Sequence, residues 1–159
     1  MQPATGRKLP VDPDYTLDLI ALWEAKVAPL FNAQRHILFP DTAEDVTLFQ
    51  GGYGCGKTFT AVLFALHQAL TRPGSVGLIV GANQMALNDV IFAMVKQIFN
   101  AVGLIDGEHY ALRQTNKRIL LKNGSVIYCR TRRQPLLHAD YAVCDGVEQF
   151  TQAQFALAM

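Results

Sequence analysis

The sequence predicts an α/β protein: a mainly parallel sheet with helices on both faces, plus a β-hairpin. Three observations carry this expectation. Short apolar runs alternate with longer runs of helix formers along the chain, the order of an α/β fold. Residues 76–80 (VGLIV) are apolar almost throughout, as a strand buried on both faces requires. Asn123-Gly124 separates two apolar runs, a strong hairpin signal.

The elements follow in chain order. Residues 1–13 hold three prolines and little to bury, which reads as a flexible arm ahead of a single domain over 14–159. From Asp14, the residues Leu17, Ile20, Leu22, Trp23 and Val27 recur at helical spacing and predict an amphipathic helix ending near Pro29. Trp23 reads as a core residue of that helix. Residues 46–50 (VTLFQ) form a short strand, and 57–71 a helix. RPGS is a turn before the 76–80 strand. A helix over about 84–101 follows, then the hairpin within 118–130, then a short strand ending at Asp145. Right-handed crossovers would bring these strands into one sheet.

Composition narrows the class. The chain has 159 residues, 50% of them apolar, enough for one core and too few for two ordinary domains. Net charge is +1, so no global basic excess announces nucleic acid. Cys55, Cys129 and Cys144 are an odd count without metal-ligand spacing, which suggests a reducing, cytoplasmic setting. No secretory signal is visible at the start, and the apolar stretches are interrupted by polar residues, so no membrane span is expected. His36, His67, His109 and His138 show no ligand spacing.

The chemistry concentrates in GGYGCGKT, from Gly51 through Gly52, Tyr53, Gly54, Cys55, Gly56 and Lys57 to Thr58. This satisfies G-x-x-x-x-G-K-[ST], and it lies between a β-type run and a helical run as a phosphate-binding loop does. Glycines let the backbone N–H groups approach an anion. Lys57 reaches the β- and γ-phosphates of ATP, and the Thr58 hydroxyl is suited to Mg²⁺. The helix beginning here, with Phe59 in its first turn, turns its positive dipole end toward the phosphates. Asp145 ends a short apolar run, the Walker B arrangement, and is the expected second metal residue. Asp140 is the rival, but the apolar run after it makes it a strand-start residue. A hydrolytic site also needs a carboxylate to orient water. The position after Asp145 is Gly146, and the next acidic residue is Glu148, which is the candidate base if the chain hydrolyses ATP.

These motifs together resemble the ATPase domain of the phage terminase large subunit, the motor that packages DNA into capsids. Phe31-Asn32-Ala33-Gln34 is similar to that family's F-x-x-Q element, which implies that Gln34 contacts adenine. GGYGCGKT resembles its GGRGSGKT, ILLKNGSVIYCR its NGS hairpin, and CDGVEQF its DEAEQF, with Gly146 replacing a glutamate. Tyr53 stands where many members carry an arginine. The resemblance implies a P-loop NTPase fold, ATP and Mg²⁺ as ligands, and double-stranded DNA, a small terminase subunit and a portal as partners. It also implies a homo-oligomeric ring and a cytoplasmic location in an infected host cell. The chain ends soon after Walker B, as a fragment or truncated form would. Arg130, Arg132 and Arg133, with Lys117, Arg118 and Lys122, form a local basic run. It reads as a solvated face, as a DNA-facing surface, or as the source of a trans-acting arginine, for which Arg132 or Arg133 is favoured. A catalytically silent nucleotide-binding module and a kinase- or helicase-like P-loop protein are the alternative functions.

Overall fold

The computed structural model describes residues 8–39, 56–131, 133 and 138–145. Four α-helices are seen among these residues: α1 (Leu19–Lys26), α2 (Asn32–Leu38), α3 (Lys57–Thr71) and α4 (Ala93–Ala101). Five strands, β1 (Val76–Gly81), β2 (Tyr110–Arg113), β3 (Arg118–Leu121), β4 (Val126–Thr131) and β5 (Tyr141–Cys144), form one sheet in the order β2-β3-β4-β1-β5. The fold is α/β, as expected, but the sheet is mixed. β1 pairs parallel with β4 and with β5, whereas β2–β3 and β3–β4 are antiparallel. The hairpin is the reason. It joins the sheet instead of standing apart from it, and its first strand, β3, runs against the other four.

The four described helices share one core with one face of the sheet. Gly77, Ile79 and Gly81 of β1 share one face with their register partners Ile127, Cys129 and Thr131. Ile79, Ile127 and Cys129 belong to one core with buried residues of all four helices, including Leu19, Leu38, Leu66 and Phe99. The helices therefore cover this face. Tyr141, opposite Gly77, leans over it, and a Cβ on Gly77 would run into the Tyr141 ring. Only glycine fits there.

α1 begins later than its periodicity suggests because Asp18 caps it, its carboxylate accepting from the Ala21 N–H at 3.0 Å. Trp23 packs on Phe59 with ring centroids 5.0 Å apart, in keeping with a core role. α3 spans the residues expected, with Val62, Leu63, Leu66 and Leu70 buried along one side. The helix expected over 84–101 is in two parts, a π-helical stretch Ala86–Phe92 running into α4. β2 and α2 have no counterpart in the sequence-based expectation. The 46–50 strand lies outside the described residues. Residues 8–13, read above as part of a flexible arm, are docked: Leu9 is buried, and the Asp12 N–H donates to the Lys122 carbonyl at 2.7 Å. Among the described residues, no helix is long and apolar enough to cross a membrane.

Candidate nucleotide site

α3 opens at Gly56, whose φ of +81° is a left-handed conformation that favours glycine. The Gly56 carbonyl accepts from the Thr60 N–H at 2.9 Å and from the Thr60 hydroxyl at 2.8 Å, which fixes the first turn. First-turn amides have no carbonyl four residues back to bond, so those of Thr58 and Phe59 point out of the helix's own ladder. Such an end is suited to an anion, with the helix dipole adding to it. Lys57 is the first helical residue and is partly buried.

β5 supplies the facing side. Its last residue is Cys144, and the Asp145 N–H donates to the Val80 carbonyl at 2.9 Å, holding Asp145 at the carboxyl end of the parallel strands. The Thr58 hydroxyl donates to Asp145 Oδ1 at 2.9 Å, across 87 residues of sequence. The fold thus brings together the two side chains that the sequence assigned to metal. Asp140 does something else. Its carboxylate accepts from the Val76 N–H at 2.8 Å, and its own N–H donates to the Val76 carbonyl at 2.7 Å. It ties the amino end of β5 to the amino end of β1, as a strand-start residue.

Gln34 is buried, at 5% exposure, and its Oε1 accepts from the Phe31 N–H at 3.0 Å. Its Nε2 lies 2.9 Å from where a Gly56 Cβ would be. A glutamine of α2 is therefore packed against the end of the glycine loop, a contact that spacing along the chain could not reveal. Phe31, the other end of the F-x-x-Q element, is 76% exposed. Phe59 places its ring on Trp23, so its side chain is taken up by the core. Arg133 is exposed. Gly51, Gly52, Tyr53, Gly54, Cys55, Arg132, Gly146 and Glu148 lie outside the described residues.

Neither cysteine of the described strands is an activated nucleophile. Burial pushes the Cys129 thiol up to about 12 and raises Cys144 as well, so both stay protonated at neutral pH. The basic run divides once folded. Lys122 stacks over Tyr15 at 5.2 Å, while Lys117, Arg118 and Arg130 line a groove with Tyr128. Tyr128 was not singled out by sequence, although its period-2 relation to Arg130 on β4 is the signal that joins them.

Comparison with known protein families, with curated proteins and with solved structures finds no match to this chain.

Proposed function

We propose that the chain binds ATP with Mg²⁺ and serves as the ATPase domain of a DNA-packaging terminase large subunit. The observation that supports nucleotide binding best is the Thr58 hydroxyl on Asp145 Oδ1 at 2.9 Å. Two residues, one from the first turn of α3 and one from the end of β5, meet there. Their chemistry fits Mg²⁺, which takes oxygen ligands and is held by one or two carboxylates with substrate phosphates. A bound Mg²⁺ would neutralise charge on the phosphates. The P-loop reading assigns the rest to this chain's own groups. The loop amides and Lys57 hold the β- and γ-phosphates, Thr58 and Asp145 orient the cation, and Gln34 meets the base. The reading gives Arg133, which is exposed, to the nucleotide of a neighbouring copy in a ring, and makes Glu148 the base for water. DNA, a small terminase subunit and a portal are the partners that this reading names. It rests on the motifs quoted above together with the Thr58–Asp145 pairing.

A second reading is a nucleotide-binding module with weak catalysis, favoured by Gly146 directly after Asp145. A water without a carboxylate in hydrogen-bond reach attacks slowly, so turnover below the usual range of about 1–100 per second is expected.

Thermal unfolding with and without Mg·ATP tests nucleotide binding. ATP should raise the midpoint of the parent protein, and Lys57→Ala should abolish the rise by removing the charge that meets the phosphates. An equal rise in both proteins would falsify the assignment.

A further inference from the structure

The sheet face opposite Ile79, Ile127 and Cys129 carries, at its rim beside the π-helical stretch, a groove of about 560 Å³ that the nucleotide reading does not use. Strand alternation places Arg118, Tyr128 and Arg130 on that face: Arg118 lies opposite Tyr128, and Tyr128 and Arg130 lie beside Leu78 and Val80 of β1. Lys117, Gln84, Thr115 and Asn116 complete the lining. Among the described residues, the lining holds three cations and no carboxylate. In a chain with 14 basic and 13 acidic residues, that is a strong local segregation of charge. The Arg118 Nε is buried and, among the described residues, has no hydrogen-bond partner. A buried guanidinium N–H without an acceptor is costly unless an anion supplies one. The Arg130 guanidinium lies 5.4 Å from the centre of the Tyr128 ring, which gives a flat aromatic and guanidinium surface beside the cations. Lys117 is held in place by donating to Asn88 Oδ1 and by the Phe92 ring 5.8 Å below it.

We propose that this groove binds nucleic acid, with Lys117, Arg118 and Arg130 on backbone phosphates and the Tyr128–Arg130 pair as a stacking surface. Cations alone would accept any polyanion; the flat surface beside them selects one that also carries bases. The groove opens at the carboxyl end of the sheet, since β1 and β4 end there and β3 begins there. The Asp145 end of β5 lies two strands away from β4. The proposal deepens the motor reading by locating its nucleic-acid contact, and it rests on that reading only for its biological setting.

The test is fluorescence anisotropy of the full chain with a labelled mixed-sequence DNA oligonucleotide, single-stranded and duplex, across a potassium chloride series. Three phosphate contacts predict a slope of log affinity against log salt of about −2 to −3. Arg118→Gln and Arg130→Gln, which keep most of each side chain's bulk, should each reduce the slope by about 1 and weaken both DNA forms. Tyr128→Ala should weaken the single strand about tenfold. Lys57→Ala should lose the ATP response and keep DNA binding. Unchanged affinity and slope in the two arginine variants overturn the proposal. So does equal binding of polyglutamate, or displacement of the oligonucleotide by ATP at its own binding concentration. If the parent binds DNA with this slope but never responds to ATP, the nucleotide reading fails and the groove stands.

Discussion

At Gly56 the backbone φ of +81° and the Gln34 amide both exclude a side chain. An alanine there takes on the left-handed penalty, roughly 1–2 kcal/mol, and its Cβ pushes on a glutamine already held by the Phe31 N–H. Gly56→Ala should lower unfolding free energy in urea by that amount and weaken ATP binding, because the displaced loop end no longer aims its amides. Adding Gln34→Ala should recover part of the stability and little of the binding. Independent, additive losses in the double variant would show that the two residues do not press on each other. The two halves of this contact differ in how far the sequence reveals them. Gly56 is visible as a motif glycine, and the φ it needs is what motif glycines supply. That Gln34 would be the neighbour it makes room for depends on where α2 docks, which local sequence does not encode.

Among the elements, α3 and the hairpin are joined by a small buried polar cluster. Asn123 is 1% exposed; its Nδ2 donates to the Ala69 carbonyl at 2.8 Å, and its Oδ1 accepts from the Ser125 N–H at 3.0 Å. The Ser125 hydroxyl is shared between the carbonyls of Ala69 and Arg72, each at 2.9 Å. The Asn-Gly turn thus terminates the helix as well as reversing the chain. Asn123→Ala leaves buried partners unsatisfied and should cost about 2–3 kcal/mol by chemical denaturation; a loss under about 0.5 kcal/mol would mean the turn alone carries the residue. The hairpin was legible because Asn-Gly between apolar runs has a local cause, and α3 because fifteen residues of strong helical pattern leave little choice. β2, only Tyr110–Arg113, is too short to show a period and is a strand because β3 offers it a partner. The π-helical stretch Ala86–Phe92 was hidden for a related reason. An apolar pattern alone does not distinguish a widened turn from an α-helical one.

In the molecule as a whole, the parallel trio β4-β1-β5 is what brings the distant residues of the proposed site together. It gathers three carboxyl ends at one edge, the place where open α/β sheets bind ligands, and α3 delivers Thr58 against Asp145. The alternation of elements made this layer visible in sequence. The mixed edge was not visible, because whether a hairpin joins a sheet is decided by long-range pairing. The central claim is that Thr58 and Asp145 together hold the cation of Mg·ATP. Calorimetric titration of ATP into the parent and into Asp145→Ala, each with and without Mg²⁺, tests this directly, with circular dichroism verifying the fold. Mg²⁺ should tighten ATP binding to the parent by about tenfold or more, on the order of 1.4 kcal/mol, and should give Asp145→Ala little of that gain. A Mg²⁺ gain in Asp145→Ala equal to that of the parent would contradict the claim.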